Sequence, residues 1–510
     1  MVKFGELPSS TYSDFFGWAP YRAGMFWFTH YWAAFSALLA SATILLWRNG
    51  CETRWRHRFR NARLALHGRT AHVALAAVST FLAVAGFVFY NTKILNHRGT
   101  EKDAQWVNAR YEKAYKRYER IPFPKIVSLK YAIDLQPETG RMVVRGDAVL
   151  RNQTAAPIEQ FHLNYHAGDD VEASVQGARL VKRDVELGYL MYAFSPLMQP
   201  GESRMFSYTA KYRTRGFEVQ VVPNGIFFNN YGQVRIGYQR DSEVDDYRYK
   251  FGLPPREELP EPERNCTVNC ARKYFIPSSD WVPMETVIST APDQIAIAPG
   301  SLEKEWVANG RRYFHYKLDH PSVGFASFMS AGYAVSREQW NGISIEVYHL
   351  KEHPWNVPRM REAIRKSFEY YTANFGPYPH RQARIIEFPR VAGFAQAYPG
   401  TMPYSESIGF IANLESPDAI DHVFFSEAHE MAHQWWGHQV VGADLQGATL
   451  LSESLAEYSA LMVMEKEYGV GMIGKFMRYD NDFYLKGRAK FGTREKLTPS
   501  AFQELTQAVG

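Results

Sequence analysis

Cysteine is nearly absent, three in 510 residues, which excludes a disulfide scaffold. Charge of one sign is also scarce: Lys and Arg number 58 against 53 Asp and Glu, a formal net charge of +5. No internal repeat appears at solenoid periods. A mean hydropathy of −0.35 excludes a chain that is membrane-embedded over its whole length. It leaves room for individual spans. What is present is core-forming material, 46% hydrophobic residues and 15% aromatics, which excludes a disordered protein. At about 100 to 200 residues per domain, a chain of this length holds two to four domains.

Residues 25 to 47 contain no Asp, Glu, Lys or Arg, and at 1.5 Å per residue such a run crosses a hydrocarbon core. A second uncharged run covers 70 to 92, with Phe87, Phe89 and Tyr90 where an aromatic belt would lie. The other reading of each, a buried core helix, conflicts with the lack of a polar stripe. A signal peptide would carry its basic residues before the apolar run, whereas here they follow it. Between the runs stand Arg48, Arg54, Arg56, Arg58, Arg60, Arg63 and Arg69 against Glu52, a local charge of +6. By the positive-inside rule this loop is cytoplasmic and both flanking parts face outward. The remainder of the chain then carries −1, so the slight basicity reflects topology and nucleic acid is excluded as a partner.

Residues 100 to 120 place Ala104, Val107, Tyr111, Tyr115 and Tyr118 at helical spacing, which predicts a juxtamembrane helix ending before Pro122. From Ile126 the period changes to two, and alternating stretches continue to about Ser336. Their one clear interruption is a Pro-rich charged loop at 253 to 264. Cys266 and Cys270 follow that loop, either bridged or as idle thiols, with no His nearby to complete a zinc site. After a strand at 342 to 350, helical patterns cover 354 to 375, 416 to 439 (starting at Ser416-Pro417-Asp418), about 448 to 468, and 472 to 486.

His429, Glu430 and His433 form H-E-x-x-H on an amphipathic segment. On a helix, positions i and i+4 share a face, so both imidazoles can reach one Zn²⁺, and Glu430 can reach a water on the same ion. A second amphipathic helix carries Glu453, with Glu457 one turn further on. An antiparallel return of that helix completes a His, His, Glu set with a fourth position open. The alternative for both glutamates is a solvated helix face. His422 and His438 read as ordinary polar residues near the site. The metzincin layout is excluded, because Trp436 and Gln439 stand where it needs Gly and His.

EYYTANFGPYPHRQARIIEFP (369 to 389), HEMAHQWWGH and SESLAEY together resemble the aminopeptidase N (membrane alanyl aminopeptidase) family of gluzincins. The β-rich region resembles that family's amino-terminal domain. The resemblance implies one zinc per chain on His429, His433 and Glu453, with Glu430 as general base and Glu457 holding a ligand histidine in its tautomer. There are three departures. Nineteen residues separate His433 from Glu453, where the family usually has eighteen. The family's G-x-M-E-N, whose glutamate grips the substrate's amino group, is replaced by Gly393-Phe394-Ala395-Gln396-Ala397, leaving Gln396, or else Glu406 or Glu387, as the substrate-binding candidate. The family's oxyanion tyrosine and helical carboxy-terminal domain would lie beyond Gly510. The two spans also resemble the end of an ABC-type permease fused to such a peptidase, which implies truncation at both ends and transporter subunits as partners.

The expected fold is two transmembrane helices, a β-rich, saddle-like β-sandwich domain and a mainly α, thermolysin-like catalytic domain. The expected boundaries are an extracytoplasmic tail (1–24), a span (25–47), a basic cytoplasmic loop (48–69), a span (70–92), a juxtamembrane helix and linker (93–125), the β-rich domain (126–336) and the metallopeptidase domain (337–510). The expected function is a zinc-dependent, aminopeptidase-like metallopeptidase that hydrolyses peptide bonds through a zinc-activated water, anchored in the lipid bilayer of a bacterial inner (plasma) membrane with its catalytic part periplasmic or extracellular. Two other readings stay open: a catalytically weak, peptide-binding accessory domain of a transporter permease, and an endopeptidase.

Overall fold

The computed structural model describes residues 4–47, 54–65, 67–96, 101–219, 221–230, 233–266, 269–416 and 419–491. Arg48 and Glu52 of the basic loop, and Pro417 and Asp418 of the expected helix start, lie outside the described residues. Two compact units form. Among the described residues, the first spans 4–12, 16–102 and 213–219, and the second 13–15, 103–212 and 221–491.

The first unit is helical: α1 (Arg22–Leu46), α2 (Trp55–Ala65) and α3 (Gly68–Phe89). α1 and α3 run antiparallel through aromatic contacts, Trp27 on Phe87 at 4.2 Å between centroids and Phe35 on Phe81 at 5.6 Å. Ala19–Leu46 and Ala71–Ile94 are each long and apolar enough to cross a membrane, with only 6% of either apolar window buried. A core helix of a soluble protein would bury most of that surface.

In the second unit, α4 (Glu101–Tyr115) packs on the β-rich part. Tyr111 and Tyr115, one turn apart, lie against Leu187 and Tyr189, with Tyr115 stacked on Tyr189 at 3.8 Å. The β-rich part is built on a seven-stranded sheet in the order Ser301–Ala308, Arg311–Lys317, Met284–Thr290, Lys125–Gln136, Arg141–Arg151, Ser203–Arg213 and Asp170–Val175. Arg141–Arg151 shows why these residues form strands: Met142, Val144, Gly146, Ala148 and Leu150 turn inward and the residues between them outward. Sheets of four, three and two strands complete this part. Cys266 and Cys270 are bridged by a disulfide.

The region carrying H-E-x-x-H is built on a four-stranded sheet: Ala334–Trp340, Ile343–His349, Gln382–Phe388 and Thr401–Ser405. The first two strands form an antiparallel hairpin and the rest pair in parallel. Every residue of Gln382–Phe388 is buried, as expected of a parallel strand covered on both faces. The helices that follow the short α5 (Asp245–Arg248) are α6 (Val357–Phe375), α7 (His422–Ala432), α8 (Glu453–Tyr468) and α9 (Val470–Phe491). Phe368, Tyr371, Phe424, Ala428, Met431, Ala456 and Ala460 close one core between sheet and helices. α7 is shorter than the 416 to 439 expected from the apolar stripe. It starts behind an Asp421 cap, and the chain reverses at Gly437, whose φ of 112° is open to glycine.

Candidate metal centre

α7 presents the two histidines and α8 the glutamate. At the start of α7, the Asp421 side chain accepts from the Phe424 amide at 3.0 Å. Asp421 is itself held by Arg359 at 2.7 Å and by the Tyr468 hydroxyl at 2.7 Å. His433 is the residue just after α7, and its amide still donates to His429 O at 3.2 Å, so the i, i+4 geometry survives the helix end. The Trp436 indole donates to Ser459 Oγ at 2.9 Å, tying the exit of α7 to α8. Glu453 opens α8 and Glu457 follows one turn later.

One donor atom from each of His429, His433 and Glu453 lies within 4.8 Å of the other two. Glu453 Oε2 stands 3.5 Å from Nε2 of each histidine. The opposite ring nitrogens are engaged by acceptors: His429 Nδ1 donates to Glu457 Oε2 at 2.9 Å, and His433 Nδ1 to the Trp436 carbonyl at 3.0 Å. Nε2 is therefore the ring nitrogen of each histidine that faces the shared space and that gives up its proton when a metal binds. Glu430, 7% exposed, leaves its Oε2 without a partner among the described residues.

Burial opposes charge at all three residues of the triad, yet opposite charges outweigh it. Glu453 and Glu457 raise His429 well above the ordinary imidazole value, and Glu453 raises His433. The two imidazoles hold Glu453 far below the usual carboxylate range. Protons on two histidines facing one carboxylate are the charge pattern that a divalent cation replaces. Burial also raises Glu430, with His433 and His429 only partly offsetting it. The triad fits a zinc site in ligand type, number and tautomer.

The other candidates have partners outside the triad. Gln396 sits on a segment whose amide bonds to the Pro403 carbonyl, and its Oε1 accepts from the Tyr398 hydroxyl at 2.9 Å. That segment runs along the turn after α7, where Gln434 Nε2 donates to the Tyr398 carbonyl at 3.0 Å. Glu406 is fully buried and accepts from Ser13 Oγ at 2.7 Å. Glu387 accepts from the Leu350 amide at 2.6 Å and pairs with His353 Nδ1 at 2.5 Å. His353 Nε2 faces Asp14 at 3.2 Å. Glu406 also accepts from the Asp14 amide at 3.4 Å and stands 4.0 Å from Arg390 Nε, and none of these partners of the two glutamates belongs to the triad. Burial moves Glu406 up to about 7. This buried set was not anticipated from the sequence, because its members stand 34 to 393 positions apart with no local pattern joining them. His438 is buried, faces the Ala397 carbonyl at 3.2 Å and is pushed down to about 3 by burial. Tyr468 is taken up by Asp421.

Among solved structures the likeness is to M1 zinc metallopeptidases. The M1 zinc metallopeptidase of Deinococcus radiodurans is 14% identical with a TM-score of 0.46, over 71% of this chain and 74% of that one. A mutant of the same enzyme gives 13% and 0.48, over 77% and 80%. The mutant bound to a Tyr-Ser-Ala substrate gives 14% and 0.47, over 76% and 79%. No protein-family model matches the chain. No curated protein matches it either.

Proposed function

We propose that this chain is a zinc-dependent metallopeptidase held at a membrane by α1 and α3. The observation that carries the reading is the triad geometry: two Nε2 atoms and one carboxylate oxygen facing a common point, with both Nδ1 atoms already engaged. His429, His433 and Glu453 would hold the ion, which when bound supplies a Lewis acid for the scissile carbonyl and for a water. Glu430 accepts a proton from the attacking water as the C–O bond forms, and passes it to the amide nitrogen as the C–N bond breaks. Its buried setting raises its pKa toward the range in which a carboxylate both takes and returns a proton. Glu457 keeps His429 in the ligating tautomer.

A transporter accessory role, in which peptides are bound but slowly cleaved, is favoured by one observation. Position 396 carries a neutral amide whose oxygen is taken by Tyr398, so it offers no charge to an ammonium group. Membrane anchoring on one side is supported by the tail: Ser13–Phe15 belongs to the same folded unit as the triad, although α1 and α3 intervene in sequence. An even number of crossings brings both parts to one side, and the arginines between the spans favour the outer side.

Metal analysis of the purified full chain tests the reading. About one zinc per chain is expected. Glu453→Ala loses most of it, whereas Glu430→Gln keeps the zinc and abolishes hydrolysis of unstructured peptides. Full zinc retention in Glu453→Ala overturns the ligand assignment.

A further inference from the structure

α2 has no acidic residue, and its sequence alternates arginine with aromatic and aliphatic side chains. Arg56, Arg60 and Arg63 recur at i, i+4 and i+7, which puts them on one helix face. All three are exposed, and no ion pair is recorded for them among the described residues. Trp55, Phe59 and Leu64 are 63%, 61% and 66% exposed, a large cost in water for an eleven-residue helix. A helix of this composition is stable where apolar side chains meet acyl chains and arginines meet phosphates.

Beside it, at the carboxyl end of α1, lies a cavity of ≈ 440 Å³. Leu39, Ala42, Leu46 and Trp47 form its α1 wall, and Trp55 and Arg58 come from the other side. The Arg58 guanidinium sits over the Trp55 ring at 5.3 Å from its centroid, which fixes its plane. Arg58 Nε is shielded from solvent and has no hydrogen-bond partner among the described residues. A shielded charged donor without an acceptor is costly, and the cost vanishes when an anion enters. A planar guanidinium matches the oxygens of a phosphate in two parallel bonds.

We propose that this cavity is a binding site for an anionic phospholipid. The phosphate meets Arg58, an acyl chain lies along Leu39, Ala42 and Leu46, and the face of Arg56, Arg60 and Arg63 meets neighbouring anionic headgroups. The site rests on the reading of α1 as a membrane span. The apolar wall selects lipid over free phosphate, and the exposed arginines of α2 select an anionic over a zwitterionic headgroup.

The experiment uses the full chain extracted in detergent and exchanged into nanodiscs of phosphatidylcholine containing phosphatidylglycerol. Bound lipid is counted by native mass spectrometry after release. The expected result is retention of phosphatidylglycerol over phosphatidylcholine by about tenfold, lost in Arg58→Gln and weakened in Trp55→Ala. Arg151→Gln, on an exposed strand position of the other unit, retains it and controls for general charge loss. Equal retention of the two lipids, or an unchanged preference in Arg58→Gln, overturns the site. Displacement of the lipid by millimolar inorganic phosphate overturns the acyl-chain part and leaves a bare anion site. A chain that stays in solution without detergent or lipid overturns the spanning reading itself, and the lipid site with it.

Discussion

His429 illustrates how a single side chain is prepared from both ends. Its Nδ1 is committed to Glu457, so its Nε2 has no alternative but to face the common point with His433 and Glu453. Glu457→Gln keeps a hydrogen-bond acceptor but removes the charge that makes the ring a strong donor to a metal. Zinc affinity in this variant is expected to fall by about 10- to 100-fold with little change in fold, measured by competition with a chromophoric chelator. The residues of this site were legible in the sequence because their spacing repeats the helix period. The sequence could not show that Glu406 and Glu387 turn toward Ser13, Asp14, Leu350 and His353, since contacts across the fold leave no periodic trace.

At the scale of elements, the sequence period marks where a helix has a buried face and not where it stops. The stripe that suggested 416 to 439 continues through Trp435 and Trp436 because both rings are packed, Trp435 against Tyr371 and Trp436 against Phe375. They belong to the turn after α7. The helix proper depends on its start, where Asp421 gathers the Phe424 amide, Arg359 and Tyr468. Asp421→Ala is expected to cost about 1 to 2 kcal/mol, read as a lower Tm, and to lower zinc occupancy as α7 frays. A second element-level prediction concerns Ser13–Phe15. The Glu406 carboxyl that receives Ser13 Oγ is raised from 4.5 to about 7, first by burial and then by Glu387 and Asp14. His353 and the more distant Arg390 carry the opposing charge nearby. The Ser13 hydroxyl and the Asp14 amide donate to this carboxyl and favour its charged form, but burial and the two neighbouring acids outweigh them, so the net contribution to folded-state stability is complete below pH 4.5 and is lost as pH rises through about 7. Amide exchange at residues 13 to 15, corrected for intrinsic rate, should show protection falling from pH 6 to pH 8 in the parent chain. Glu406→Gln should hold it constant, and equal losses in both would assign the change to the His353 and Glu387 pair.

For the whole molecule, the apolar runs and the arginines between them were readable because run length, composition and charge order are written along the sequence itself. The strand order 301–308, 311–317, 284–290, 125–136, with one parallel pair inside an otherwise antiparallel neighbourhood, obeys no such local rule. The topology reading predicts that cysteines placed at exposed positions near Arg60 are labelled only from the cytoplasmic side. Those near Asn341 should be labelled from outside, as read with a membrane-impermeant maleimide on intact and opened cells. The reverse pattern would invert the orientation and leave the triad facing the cytoplasm.

The bond between Ser13 and Glu406 joins residues 393 positions apart. At synthesis rates of about 5 to 20 residues per second, roughly 20 to 80 s pass between the emergence of the two partners. The tail must therefore wait, unpaired, while every strand and helix between is made, and its docking is a late event that closes a very long loop. Contacts formed last contribute to the unfolding barrier more than to the folding rate. The tail is thus a lock applied to finished work: Ser13→Ala should leave the rate of maturation unchanged and shorten the lifetime of the matured protein.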